Sequence, residues 1–556
     1  MMELIRKTLG NILEEAAAKF PNHTAVKYTD GNYERTYRCF DEECDRLARG
    51  FLALGVKKGD HIAVWATNTP EWLLTLFAAA KIGAVLVTVN TNYKLLELDY
   101  QLKQCDAKVL VLIDGFKDNN YVDTITALVP ELNRRGAENG LKSDRFPFLK
   151  YVVYAGKKAL PNGMISFPSL TDEKNLVPKE ILDAAKASLD PDDVINMQYT
   201  SGTTGFPKGV MLTHLNLVNN GKSIGDCMKL TEKDKFCICV PFFHCFGLVL
   251  SIFACVTHGS AMIPVEYYRP TSVMHAISSE KCTAVNGVPT MFIAMLEHAD
   301  FGKYDFSHLR TGIMAGSPCP VKTMRDVVEK MNMKEITIVF GQTESSPGCT
   351  QTTVDDPLER RVSTVGRTLP FVEAKIVDPE TGAVLPPNTA GEFCARGYNI
   401  MKGYYKLPEA TAAVIDSDGF LHTGDLASCD ENGYYKIVGR IKDMIIRGGE
   451  NIYPKEIEEY IHTHPAVRDV QVVGVPSAQY GEEVMAVVVK KDGCALSEDE
   501  IKEYLKERIS RHKVPKYVRF VESFPTTASG KIQKYKLREE AVQILALQAA
   551  ANIETA

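Results

Sequence analysis

This chain lacks any excess of positive charge. Its 556 residues carry 64 Lys and Arg against 70 Asp and Glu, a formal net charge of −6. A phosphate backbone is bound by a basic surface, so no nucleic-acid partner is expected. A cysteine framework is also missing. The 14 cysteines are scattered, and the closest pair, Cys237 and Cys239, has no second pair or histidine cluster to make a zinc site. They read as buried free thiols of a reducing compartment. No secretory leader is expected at the start: the first twenty residues look like an amphipathic helix but hold Glu14, Glu15 and Lys19. The most apolar stretch, Phe246 to Ile263, contains His258 and Gly259 and reads as a buried helix feeding a strand, not a transmembrane segment. No repeat of fixed period occurs. The C-terminal Glu-Thr-Ala is not the peroxisomal S-K-L address, and a cytoplasmic location is expected.

What remains is an ordinary globular composition, 45% hydrophobic and 24% charged, which excludes collagen-like, disordered and small disulfide-stapled chains. The length suggests about three or four structural units. Up to about residue 440 one rhythm recurs, a short β-branched run followed by a helical stretch. Residues 61–67 read as a strand, 70–81 as a helix with Thr69 as N-cap and Pro70 in its first turn, and 84–89 as a strand. A helix over 94–104 and a strand over 107–113 follow. These runs are continuously apolar, as in strands covered on both faces. The rhythm resumes at KFCICVP, KCTAVNGVP and EITIVFGQ, which predicts parallel sheets wrapped by helices. Residues 114–190 read as surface excursions. After about residue 365, closely spaced turn signals predict a small β-rich subdomain. After Gly439 a shorter α+β unit begins, with strands near 470–475 and 484–490 and a helix over 497–509.

The most informative segment runs from Tyr199 to Gly209. A strand over 194–198 leads into three glycines and four hydroxyls within Thr200–Gly209, whose N–H and hydroxyl groups can surround phosphate oxygens, with Lys208 adding a point charge. It is not a Walker A loop, because no G-K-[ST] opens a helix here.

This segment, Thr200-Ser-Gly-Thr-Thr-Gly-Phe-Pro-Lys-Gly209, resembles the signature of the adenylate-forming superfamily of acyl-CoA synthetases, peptide-synthetase adenylation domains and luciferases. The family's other blocks follow in order: Phe340-Gly-Gln-Thr-Glu-Ser345, His422-Thr-Gly-Asp425, the hinge block Gly439 to Pro454, and Pro525-Thr-Thr-Ala-Ser-Gly-Lys531. The resemblance implies an α/β fold. A large N-terminal AMP-binding domain over 1–441 would hold stacked, mostly parallel sheets wrapped by helices plus the β-rich subdomain. A mobile smaller α+β domain over 442–556 would carry the catalytic lysine. It implies ATP, Mg²⁺ and CoA as cofactors or co-substrates and a small carboxylic acid as the further partner; a homodimer stays open.

The resemblance also implies roles. Thr200, Ser201, Gly202, Thr203, Thr204, Gly205 and Lys208 surround the phosphates. Gln342 and Thr343 lie beside the nucleotide, with Thr343 near the α-phosphate, and Glu344 holds Mg²⁺ as a hard oxygen ligand. Asp425 accepts from the ribose hydroxyls, aided by Arg440, and Gly316 in Ala315-Gly-Ser-Pro318 lets the adenine approach. Lys531 bridges the incoming carboxylate and the α-phosphate. Lys442 is the hinge, Gly449 lines the pantetheine tunnel, and His244 gates the acid. Together they describe two poses, one presenting Lys531 for adenylate formation and one presenting Gly449 for thioester formation.

No aspartate that would pair with a substrate amine occurs between Pro241 and Gly247, so an apolar acyl tail is expected: a medium-chain, branched, alicyclic or aryl acid. Ile446-Arg-Gly-Gly449 departs from the K-Y-K-G of luciferases and leans toward the fatty and alicyclic branch. Only about 25 residues follow Lys531, too few for a carrier domain, so CoA is the expected acceptor and a separate acyl carrier protein the alternative.

Overall fold

The computed structural model describes residues 3–31, 33–200, 207–317, 319–447, 450–477, 479–506, 508–527 and 530–545. Apolar strand runs bury themselves first. Every residue of His61–Trp65 and Val85–Thr88 is buried, as expected of strands covered on both faces. They sit inside an eight-stranded sheet whose centre, Val194–Thr200, Val85–Thr88, His61–Trp65, Ala107–Leu112 and Tyr151–Tyr154, is parallel throughout. A second, seven-stranded sheet runs from Glu335–Thr337 through Thr311–Ile313, Ala284–Asn286, Lys235–Ile238 and Ala261–Pro264 to the hairpin Thr24–Lys27 and Glu34–Thr36. All its pairings except that hairpin are parallel.

Between the sheets lie helices apolar nearly all round. In Pro70–Ile82, which starts at Thr69 and Pro70 as expected, every residue from Trp72 onward is buried. Its Lys81 has no exposed side-chain surface, and its ammonium lies 2.6 Å from Asp41, with Asp45 and Glu14 also around it. A lysine enters such a core only with carboxylates to replace its water; here they tie Leu9–Lys19 and Tyr37–Ala53 to the central helix.

Three expectations need correction. Residues 114–190 are not only surface excursions: Tyr151–Tyr154 and Ile165–Ser166 extend the eight-stranded sheet, but as runs of four and two residues they leave too little periodicity to read. EITIVFGQ is two strands: Glu335–Thr337 ends the parallel sheet, and Val339–Gly341 turns away into a three-stranded antiparallel sheet. The cysteines are all free, but Cys39 and Cys494 are exposed.

The β-rich subdomain is an antiparallel sheet of Val372–Val377, Gly391–Gly397, Leu421–Cys429 and Tyr435–Arg440. Most buried apolar residues from Leu9 to Tyr435 make one core, with Val377, Cys394 and Phe420 forming a small one of their own. From Ile445 onward the chain builds separate ones around the sheet of Val467–Ser477, Gly481–Lys490 and Tyr517–Val521. Val484, Ala486 and Val488 face one core, and Met485 and Val487 the other. That period-2 switch gives the smaller α+β domain a helix on each face of its sheet. Among the described residues no helix is long and apolar enough to cross a membrane.

The apolar run after His244 is helical, but not as one regular helix. Leu248–Phe253 is wound as a π-helix between two short α-turns, before the strand Ala261–Pro264. The wide turn is held from the sheet beside it. Buried Asn286 donates through Nδ2 to Leu250 O at 2.9 Å and Ser251 Oγ at 3.1 Å, and its Oδ1 accepts from Ile313 N at 2.8 Å. Replacing Asn286 with Ala strands a buried carbonyl and a buried N–H, each costing about 1–3 kcal/mol. Asn286→Ala is therefore expected to lower stability by about 2–6 kcal/mol, seen as an earlier urea midpoint for the large domain. An unchanged midpoint would contradict the clamp.

Candidate active site

The parallel strands deliver their loops to one end of the sheets. After Lys235–Ile238 comes His244, after Ala284–Asn286 come Val288 and Thr290, and after Thr311–Ile313 comes Gly316; Gln342, Thr343 and Glu344 follow the antiparallel strand Val339–Gly341, which continues from the parallel Glu335–Thr337. In parallel α/β sheets the C-terminal strand ends are where ligands bind.

The glycine-hydroxyl loop joins two antiparallel strands. Thr200 and Lys208 are directly paired where it leaves and re-enters the sheet. Ser201, Gly202, Thr203, Thr204 and Gly205 lie outside the described residues, as does Gly449. The Lys208 ammonium lies 4.9 Å from the centre of the Tyr404 ring, and the Tyr404 hydroxyl donates to Glu344 Oε1 at 2.8 Å. Tyr404 reaches both because Gly403–Tyr404 is an edge strand paired to Val210 and Met211. Beside the buried carboxylate of Glu344, the Tyr404 phenol is held above its usual range, chiefly by burial and then by that charge.

Thr343–Ser345 is one 3-10 turn, fixed by Gln342 N donating to Ser345 Oγ at 3.0 Å and Ser345 Oγ donating to Pro347 O at 2.7 Å. Gly341, at φ +156°, is needed just before it: a Cβ there would stand 1.7 Å from Pro347 O. Thr343 Oγ1 in turn contacts Cys245 Sγ at 3.7 Å.

Asp425 and Arg440 are cross-strand partners, joined by Nε to Oδ1 at 2.7 Å, and Asp425 is buried. The turn before Asp425 is pinned by Glu392, whose Oε1 accepts from Gly424 N at 2.9 Å and whose Oε2 is 2.8 Å from His422 Nδ1. Register explains the placement, since Glu392 pairs with Leu426 and Cys394 with His422 on the same two strands.

Lys531 arrives from the small domain. Its loop is closed by Thr527 N to Lys531 O at 2.8 Å, and Gly530 O accepts from Thr290 Oγ1 of the large domain at 3.4 Å. Val288 is wedged between the two glycines of the site: a Cβ on Gly316 would lie 3.0 Å from one of its methyls, and a Cβ on Gly530 2.9 Å from the other. Lys531 as a whole residue is exposed. Protein surrounds its ammonium, and its pKa is lowered to about 8, chiefly by burial, then by Arg440 and Lys442, with Asp425 and Asp443 opposing. His244 is pushed down to about 4, chiefly by burial and then by Lys531 itself. Its Nδ1 accepts from Phe246 N at 3.2 Å, so the neutral ring carries its proton on Nε2.

The structure thus brings Lys531, His244, Asp425 and Arg440 into one cleft, and links Lys208 to Glu344 through Tyr404. Thr343, Gln342 and Gly316 line the neighbouring strand ends. The sequence reading missed Tyr404 and Glu392. Both act on residues 30 or more positions away, and neither carries a local pattern.

Residues 13–405 match the model of the AMP-binding enzyme family, and residues 456–531 match that of the AMP-binding enzyme C-terminal domain. This chain belongs to that family, within the adenylate-forming superfamily. YngI of Bacillus subtilis (strain 168), provisionally named an acyl-CoA synthetase, is 55% identical over 98% of this chain and 99% of its own length. The mitochondrial medium-chain acyl-CoA ligase ACSF2 of Rattus norvegicus is 40% identical over 98% of this chain and 89% of its own. Among solved structures, ATP-bound MatB from Rhodopseudomonas palustris is similar at 30% identity and a TM-score of 0.80, over 96% of this chain and 99% of that one. Lys531 is the last residue of the second match, and the Asp425–Arg440 pair lies in the stretch between the two.

Two expected outcomes follow from this geometry. Only the ammonium form of Lys531 can offset phosphoryl charge. Its protonated fraction falls above a pKa of about 8. ATP–pyrophosphate exchange, as kcat/KM, should be flat at lower pH and fall about tenfold per pH unit above that point; a profile level to pH 10 would refute the assignment. Glu392→Ala frees the turn that aims Asp425, so KM for ATP should rise about tenfold with kcat less affected. A KM within twofold of the parent enzyme would refute the clamp.

Proposed function

We propose that this member of the AMP-binding enzymes is an AMP-forming acyl-CoA ligase for an apolar medium-chain, alicyclic or aryl acid. The observation that carries the reading is the Lys531 ammonium, supplied by the small domain, beside Arg440 and Asp425 of the large one. In the first half-reaction a carboxylate oxygen bonds to the α-phosphorus of ATP, the bond to the β-phosphate oxygen breaks, and pyrophosphate leaves. Lys531 bridges the two anions as they meet, and such a donor is worth about 10²–10³ in rate. Asp425 and Arg440 hold the ribose, Gly316 the adenine face, and Lys208 with the Thr200–Gly205 loop the phosphates. Neutral His244 offers its Nε2–H to the acid without adding charge. In the second half-reaction the CoA sulfur bonds to the acyl carbon, the carbon–oxygen bond to AMP breaks, and the thiol proton goes to solvent.

Glu344 suits Mg²⁺: it is a buried hard oxygen donor with one carboxylate oxygen held by Tyr404. Bound there, the ion would neutralise phosphate charge. Domains of 1–441 and 442–556, hinged at Lys442, fit the separate cores. A pose presenting Gly449 would serve the thiol step.

The apolar acid is supported by buried Phe246 and Val288 beside Gly316 and by Val288 and Met291 beside Gly530, and by the medium-chain name of the rat relative. A cytoplasmic home is supported by the free thiols.

The test is AMP and pyrophosphate release over about thirty carboxylic acids, with CoA and with a carrier protein as acceptor. AMP with an apolar acid and CoA is expected; ADP, or AMP only with the carrier protein, would overturn the reading. Lys531→Ala should lose about 10²–10³ in adenylate formation while largely sparing thioester formation from supplied acyl-adenylate. Equal losses would refute the two-pose mechanism.

A further inference from the structure

Two side chains one turn apart on the first helix of the small domain, Pro454–His462, reach across to the large domain. Lys455 Nζ donates to Ile437 O at 2.9 Å, on the strand Tyr435–Arg440 that precedes the hinge. The Glu459 carboxylate faces the backbone N–H of Val321. Val321 opens the helix Val321–Lys330, whose N-cap is Pro320 and whose first turn holds no acidic residue. The first N–H groups of a helix lack internal partners and favour a negative charge, and here the other domain supplies it.

The two residues also face each other and Cys319. Both are half-buried overall with their charged ends enclosed. Burial moves Lys455 below its usual range and Glu459 above its own, each opposed by the other's charge. Around them, Arg468 and Glu297 form a weaker ion pair at 3.8 Å across the same boundary. Lys322 and Lys491 meet there as like charges and oppose closure. The residues thus hold the small domain at a particular angle, the angle at which Gly530 rests on Thr290 and Lys531 enters the cleft. Any rigid rotation at residues 441–443 parts Lys455 from Ile437.

We propose that Lys455 and Glu459 form a latch that selects the pose for adenylate formation: they are positioning residues for the first half-reaction and a brake on the second. This rests on the two-step reading above. A buried charge–carbonyl or charge–amide hydrogen bond is strong enough to shift a two-pose balance about tenfold.

The test uses the full chain with Lys455→Met and Glu459→Met, which keep the packing volume, and Glu459→Gln, which keeps an acceptor for Val321. In both Met variants ATP–pyrophosphate exchange should slow about five- to tenfold, while thioester formation from supplied acyl-adenylate and CoA is unchanged or faster. Glu459→Gln should stay near the parent. Trypsin should cut the 441–447 segment faster in the Met variants, a readout independent of any acid. Equal loss in both half-reactions would overturn the latch. So would parent-like exchange with parent-like cleavage. If the parent makes no adenylate from any acid, the ligase reading fails and cleavage decides the latch alone: faster supports it, unchanged refutes it.

Discussion

Bringing like charges together is the constraint on which this structure turns. Arg440, Lys442 and Lys531 share one cleft, with Asp425 and Asp443 as the nearby counterions. Left in water these cations would separate. The sheet register fixes Arg440, the hinge turn fixes Lys442, and the packing of Gly530 against Val288 and Thr290 fixes Lys531. Folding energy stored elsewhere thereby holds a concentrated positive field in one cleft, suited to a group that gains negative charge. Such prearranged dipoles and charges need no reorganisation when the reaction occurs.

The surrounding scaffold serves that field by aiming loops. Six segments that matter, from residues 200, 244, 288, 316, 343 and 425, come from four different sheets: the first four follow the ends of parallel strands, and the last two are brought to them by antiparallel sheets. Tyr404 shows how tightly the pieces are joined. One phenol on an edge strand stacks under the loop lysine and hydrogen-bonds the carboxylate of another loop. Glu392 does the same for the turn before Asp425, holding it by its backbone and its histidine at once.

Much of this was legible in the sequence where chemistry is local. The strand His61–Trp65 and the helix Pro70–Ile82 are written in continuous apolar runs and a proline at the first helical turn. Lys531, Asp425 and Glu344 sit in blocks whose residue order is itself the signal. What stayed hidden is whatever depends on distant pairing. Tyr151–Tyr154 is too short to announce a strand until Ala107–Leu112 offers an edge. Tyr404 and Glu392 look like any strand residue until the partner 60 or 30 positions away is placed opposite. The side chains of Lys455 and Glu459 likewise gain meaning only from a domain contact that no window of sequence contains.

The wide turn at Leu248–Phe253 has an evolutionary consequence. A π-turn is an α-helix with one residue too many, and residues along a helix are about 100° apart. Deleting a single codon there would restore regular winding and swing everything upstream, His244 and Phe246 included, by roughly that angle against everything downstream. The wall beside His244 is therefore built so that a one-residue change in length, with no substitution at all, can recut its shape, while Asn286 guards the present cut from the neighbouring sheet.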